Sequence, residues 1–410
     1  MPWVSILRPG IPKLCVPAQE FLSLLLALPL YTSLCENQTL HTQSNFRLLI
    51  VRLGAMGDIL HALPAVTALR LAHPDWHIGW VVEPRWQPLL AACSAIACNS
   101  AAQPRSSAMP IVDRLHFASS RDWKRHPLSS NTRRAIGALR RELRAAGYSA
   151  VLDLQGAIRS AVIARMTGCP RRIGEAAPRE WPAHWFFTER VVTQGAHVIE
   201  QDVELASAVA GDALAASFAN DSSLASFAPL LPIDPEAEAW CGTWLADTFP
   251  GAARPIALIT PGAGWGAKRW PPERYATVAE GLAQRGLHVV VNAGPGEEPL
   301  AATIASGRAV PLTATLPQLI ALTRRIALCI GGDTGPLHLA CALGRPVVGI
   351  YGPTDPSRNG PFGTRARVLR SPESRRDHSR RAAPDPGLLT IAPDDVLHAA
   401  DDLLAPESAR

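Results

Sequence analysis

No CxxC pair and no cysteine–histidine spacing suited to zinc occurs among the eight cysteines, of which Cys93 and Cys98 are the nearest two. Zinc ribbons and disulfide-stapled secreted domains are therefore excluded, and the thiols read as reduced. No apolar run reaches the ~20 residues that a spanning helix needs. The strongest, Phe21 to Tyr31, is too short and is interrupted by Pro29. A GxGxxG turn after the first apolar run is also missing, which weakens a dinucleotide-binding reading. Charged residues make up 18% against 47% hydrophobic ones, a balance that excludes disordered and fibrous classes.

What remains is a chain of 410 residues, too long for one ordinary core and expected to form two domains. Its net charge of +5 is unevenly spread. Between Arg121 and Arg179 thirteen Lys or Arg face four Asp or Glu, so the rest is net negative and this region is expected to meet something anionic. Arg133, Arg134, Arg140, Arg141 and Arg144 share one helical stretch, and that part reads as a solvated face. In residues 1–45, Arg8 and Lys13 precede an apolar stretch, but no A-x-A cleavage pattern follows. We expect an extension, disordered or interfacial, or a start codon placed too far upstream, ahead of a cytosolic body.

From Phe46 strand and helix patterns alternate, which predicts parallel sheets with crossover helices. Residues 47–53, 78–83, 111–117 and 150–154 read as strands, and residues 132–146 as a helix. Three prolines and an acidic cluster in residues 229–238 suit a linker and a capped helix. Strands follow at 255–260, 287–294, 327–333 and 345–352, with helices starting near Pro271, Glu297, Pro317 and Pro336. The expected division is an extension, 1–45; a first Rossmann-like domain, 46–232; a second, 233–392; and a terminal helix with tail, 393–410. Two such α/β domains leave a cleft between the carboxyl ends of their strands, where ligands bind.

Three turns carry chemistry. Gly54, Gly57 and Asp58 follow the first strand, so backbone can approach a ligand closely. Asp58 either caps the next helix or faces the cleft as a general base. Asp333, Thr334 and Gly335 follow another strand, and Pro336 suits a first helical position, so free amides face whatever lies there. Such an end favours a diphosphate. His338 is either a ligand contact or a core histidine. Lys268 stands behind the glycines of residues 261–266, where its charge reaches a phosphate.

The ordered segments GAMGDILHALPA, DLQGAIRSA, GWGAKRWP and DTGPLHLACALGRPVVGIYGPTDP together resemble the lipopolysaccharide heptosyltransferases, over residues 46 to about 404. SRDWKR at 120–125 and PRE at 178–180 look closer to the heptosyltransferase I branch. The resemblance implies a GT-B fold, two doubly wound domains facing a cleft, and an inverting transfer of heptose from ADP-L-glycero-β-D-manno-heptose to Kdo of the lipid A inner core. It implies Asp58 as the catalytic aspartate. Lys268, Thr334, Gly335 and His338 match the diphosphate and sugar site, Asp333 the residue that holds the heptose, and Glu298 the ribose-binding carboxylate, a place that Glu297 could also take. Arg121, Lys124 and Arg179 match acceptor-binding positions, with Gln155 and Arg159 in support. Two departures stand out: Ala263 and Gly264 replace threonines that some members offer to the phosphates, and Arg52 replaces a common lysine.

A DxD metal–sugar motif is absent, in keeping with an expected mechanism without metal or cofactor. The expected setting is the cytoplasmic face of the inner membrane, with no nucleic acid and no protein partner. Heptosyltransferase II, or a relative with another donor or acceptor, is the alternative within the family. A nicotinamide oxidoreductase is the alternative outside it. A nucleic-acid-binding protein lacks a recognisable module and interleaved aromatics here.

Overall fold

The computed structural model describes residues 46–93, 106–211, 214, 228–251, 253–305, 307–375 and 381–405. The expected extension 1–45 and Cys98 lie outside these residues. The first sheet consists of β1 (Arg47–Val51), β2 (His77–Val82), β3 (Arg114–Phe117), β4 (Ala150–Asp153), β5 (Arg172–Glu175) and β6 (Glu189–Val191). They lie in the order β3-β2-β1-β4-β5-β6, all parallel. The second consists of β7 (Ile256–Thr260), β8 (His288–Asn292), β9 (Ala309–Leu312), β10 (Leu328–Gly332), β11 (Val347–Tyr351) and β12 (Ala366–Arg370). Its order, β12-β11-β10-β7-β8-β9, is the same doubly wound topology seen from the other edge. Central strands such as β1, β7 and β10 are buried almost throughout. Their unbroken apolar sequences follow from helices covering both faces.

Helices connecting the first sheet are α1 (Met56–Ala72), α2 (Ser120–Arg125), α3 (Ser130–Ala145), α4 (Ile158–Met166) and α5 (Val198–Ala210). In the second half follow α6 (Pro235–Thr248), α7 (Pro272–Gln284), α8 (Glu298–Ile304), α9 (Leu316–Thr323), α10 (Gly335–Ala342), α11 (Pro356–Asn359) and α12 (Pro393–Leu404). The proline-rich linker ends as its composition suggests: Asp234 accepts from the amides of Glu236 and Ala237, and Pro235 opens α6. The strand expected at 111–117 is shorter and begins at Arg114, whereas α3 begins two residues early because Ser129 caps it.

The terminal helix α12 is part of the second half's core. Val396, Leu397, Ala400 and Leu403 are buried there, and Asp401 pairs with Arg285, the residue that ends α7, at 2.7 Å. The two halves touch where α1 meets α10. A Cβ on Gly57 would lie 3.0 Å from the His338 ring, and one on Gly335 would lie 2.6 Å from the Met56 sulfur. This close approach of two helix ends leaves no room for a side chain at Gly335 and little at Gly57.

Candidate active site

In a doubly wound sheet the crevice opens where the strand order reverses, outside the carboxyl ends of the strands. Those points are β1/β4 in one half and β7/β10 in the other. Asp58 and Gln155 follow the first pair, Lys268 and Asp333 the second. The topology therefore brings four expected residues to two switch points, joined by the contact between α1 and α10.

On the first wall Asp58 occupies the opening turn of α1. Its carboxylate accepts from the Ala55 amide at 3.0 Å, so it does cap the helix. It also stays 30% exposed and lines an open pocket of about 570 Å³ with Arg52, Asp153, Gln155, Arg179 and Asp202, closed by Arg358 of the second half. Buried Arg52 fixes it from behind: Nη2 lies 3.6 Å from the carboxylate, and Nε donates to the Asp58 carbonyl at 3.1 Å. Gln155 is buried, and its Oε1 accepts from the Leu53 amide at 3.0 Å. Burial pushes the Asp153 carboxyl up to about 6, against hydrogen bonds from Gly156, Ser160 and Gln155 that favour its charge. Burial likewise pushes Asp202 up to about 7, with neighbouring Arg52 pulling the other way.

The basic residues divide. Arg179 is exposed and reaches the pocket. Arg121 is exposed on α2, 3.7 Å from the carboxylate of Glu83, and Lys124 is exposed one turn further on. Both lie beyond β3, two strands from β1. Arg159 is exposed on α4 and is not among the residues lining the pocket.

On the second wall Lys268 and Asp333 form a buried ion pair, 11% and 10% exposed. The lysine ammonium also donates to the Asp333 carbonyl at 3.3 Å and rests 4.4 Å from the centre of the Trp265 ring. The other Asp333 oxygen meets His338 Nε2 at 2.9 Å, and His338 Nδ1 meets His61 Nε2 of the first half at 3.2 Å. Burial opposes charge on Asp333, but the hydrogen bond and charge of His338, with Lys268, outweigh it and hold the carboxyl well below the usual range. Burial, with the nearby rings of His338 and His197 and the Arg52 guanidinium, holds His61 well below its ordinary value. Thr334 turns its hydroxyl to the Gly332 carbonyl, so no side chain caps α10 and its first amides stay available.

The two glutamates differ. Glu298 is fully exposed, with its carboxylate on the Gly296 amide at 3.1 Å, and hydrogen bonds from its own amide and that of Gly296 hold its carboxyl down. Glu297 instead folds over the glycine turn: its carboxylate accepts from the Gly294 amide at 3.3 Å and fills the space that a Cβ on Gly262 would need. Of the two, Glu297 faces the turn behind β7. The sequence reading missed His61, Asp153, Asp202 and Arg358. For His61 a signal was present, since it lies three residues after Asp58 on the same helix and so on a neighbouring face.

The chain has known likenesses. The model of glycosyltransferase family 9 (heptosyltransferase) matches residues 136–386. Lipopolysaccharide heptosyltransferase 1 of Escherichia coli K12 is 28% identical over 333 residues, covering 80% of this chain and 94% of that protein. The protein of the same name from Pseudomonas aeruginosa PAO1 is 26% identical over 332 residues, covering 77% and 81%. Among solved structures, E. coli heptosyltransferase WaaC with ADP superposes with a TM-score of 0.65 at 24% identity, covering 87% of this chain and all of that one, which supports the GT-B fold. Because the family match spans more than half of the sequence, the chain belongs to glycosyltransferase family 9, the heptosyltransferases.

Proposed function

We propose that this heptosyltransferase moves heptose from ADP-L-glycero-β-D-manno-heptose to Kdo of the lipid A inner core, with inversion, at the cytoplasmic face of the inner membrane. The observation that carries the reading is the two-sided site: a carboxylate fixed at one switch point, and a buried cation beside an uncapped helix end at the other. The nicotinamide alternative falls with membership of the family. Transfer by a heptosyltransferase II, or to another acceptor, is the remaining alternative.

In this reading an acceptor hydroxyl attacks the anomeric carbon and gives its proton to Asp58 as the new C–O bond forms. The bond to the diphosphate breaks on the opposite face, through an oxocarbenium-like transition state. Arg52 holds the carboxylate in place by its contact to side chain and carbonyl. Charge growing on the departing ADP meets Lys268 and the amides at Thr334 and Gly335, donors already fixed before reaction. Two of the three lysine N–H groups are occupied by Asp333, which leaves one for a phosphate oxygen. Asp333 and His338 hold the sugar, Glu297 or Glu298 the ribose. Arg179 and Gln155 receive the acceptor directly, while Arg121, Lys124 and Arg159 act further out on the same carboxyl edge.

The test offers the purified protein ADP-heptose, GDP-mannose and UDP-sugars with Kdo-lipid A and records which donor is consumed. ADP-heptose alone should disappear, at the same rate with and without EDTA. Consumption of another donor, or activity lost in EDTA and restored by magnesium, would overturn the assignment.

A further inference from the structure

The first half exposes two tryptophans that the proposed chemistry does not use. Trp181 and Trp185 are 61% and 68% exposed on a short 3₁₀ segment, Trp181–Phe186. Beside it Ile158 and Val162, one turn apart on α4, are 41% and 40% exposed. The segment and α4 form one packed unit through Ala161, Ala183 and Phe187, and the Glu180 carboxylate accepts from the Ile158 amide at 2.9 Å. The rings are not loose. His184 is buried between them, 4.0 Å from the Trp181 ring and 5.3 Å from that of Trp185, and its Nδ1 lies 2.5 Å from the Trp181 carbonyl. Arg190 in turn donates to the His184 carbonyl at 3.1 Å.

Fixed aromatic rings grouped with exposed aliphatic side chains keep the unfavourable hydration that burial would remove, which marks an interaction surface. Its charge says of what kind. Arg159 and Arg165 of α4 and neighbouring Arg179 are exposed and form no ion pair among the described residues, while the nearby acid, Glu180, is engaged with an amide. The patch is therefore apolar rings within a positive rim. It also borders the pocket of Asp58: Arg179 lines that pocket, and its amide lies 3.1 Å from where a Cβ on Gly156 would stand.

We propose that this unit docks the enzyme on an anionic lipid bilayer. Trp181 and Trp185 enter at headgroup depth, where a ring with one polar N–H is favoured, and the arginines pair with lipid phosphates. Among the described residues no helix is long and apolar enough to cross a membrane, so contact through them is interfacial. Docking here would place the mouth of the pocket at the bilayer surface, within reach of a sugar carried on a lipid. That geometric advantage rests on the lipid-borne acceptor proposed above; the docking itself does not.

The experiment floats the full-length chain with vesicles of phosphatidylcholine alone or mixed with phosphatidylglycerol. The protein should rise with the mixed vesicles, and Trp181→Ser with Trp185→Ser should lower that partition about tenfold or more. Arg165→Gln should weaken it less, and only at low salt. The tryptophan variant should keep its ADP affinity and its transfer to a soluble, deacylated acceptor, which separates docking from misfolding. Vesicle binding unchanged in that variant would overturn the proposal. So would a dimer in wild type that the variant dissolves while vesicle binding persists. Should vesicle binding behave as expected but no heptose be transferred to any acceptor, the functional reading falls and the docking surface stands.

Discussion

Removing the ammonium of Lys268 isolates a buried carboxylate. Lys268 and Asp333 are 11% and 10% exposed, so water replaces the lost partner only in part. Breaking one side of a buried ion pair costs about 3–5 kcal/mol. His338 still donates to Asp333 at 2.9 Å, which puts Lys268→Ala near the lower end, about 3 kcal/mol. The pH dependence follows from Asp333, whose folded pKa lies below its ordinary value because His338 and Lys268 outweigh burial. Such a group contributes stability above the unfolded pKa of about 3.9 and loses it as pH falls through the folded value. The gap between wild type and Lys268→Ala should thus be constant from about pH 5 to 8 and close below about pH 4. Urea unfolding of the ADP-free protein measures it, and a cycle with Asp333→Asn isolates the pairwise part. The same variant should bind ADP about ten- to a hundredfold more weakly, as for loss of a charged hydrogen-bond donor. A stability loss under about 1 kcal/mol, the range of an exposed pair, would refute the reasoning.

Asp58→Ala should lower turnover by about 10² to 10⁴ and stability by about 1 kcal/mol, because the carboxylate both faces the pocket and caps α1; Asp58→Asn should restore the cap in urea unfolding but not the turnover. Arg179→Ala should raise the acceptor KM and leave the ADP Kd within about twofold, with smaller acceptor effects for Arg121→Ala and Lys124→Ala; steady-state kinetics with ADP titration separates the two substrates. Burial raises Asp202 to about 7, so its protonated form suits the fold, and that advantage is lost as pH climbs from about 4 to about 7. Compared with wild type, Asp202→Asn should therefore be more stable at pH 8 than at pH 5, read from urea midpoints at both.

Strands buried on both faces could be read because they consist of apolar runs alone: RLLIV and IALIT hold no polar residue that a loop would need, apart from their ends. Several outer strands could not. ERV, AVPL and ARVLR at sheet edges, and RIGE one strand in, are short, partly exposed and mixed in composition, so no run of one character marks them. The terminal helix was legible as a helix, but its partner was not. Its apolar stripe fits any apolar face, and only the fold brings it to α7 and the outer strands of the second sheet.

The site divides along the same physical line. Asp58, Lys268 and Asp333 could be found because each follows a strand through a glycine-bearing turn, a local pattern that survives in one dimension. Asp202 and Arg358 lie within the bodies of α5 and α11 and not in the turns before them, and they reach the pocket only because α5 lies against α1 and α11 closes over it from the other half. His61 is the instructive case. Its spacing from Asp58 is local, yet its partner His338 lies 277 positions away, and neither residue alone distinguishes a core histidine from a working one. The two descriptions are in fact compatible. His338 is buried as a core residue is, and for that reason its Nε2 has a fixed direction toward Asp333 while its Nδ1 is met by the first half. The side chain that joins the second wall to the first is thus positioned by packing that only the assembled pair of domains provides.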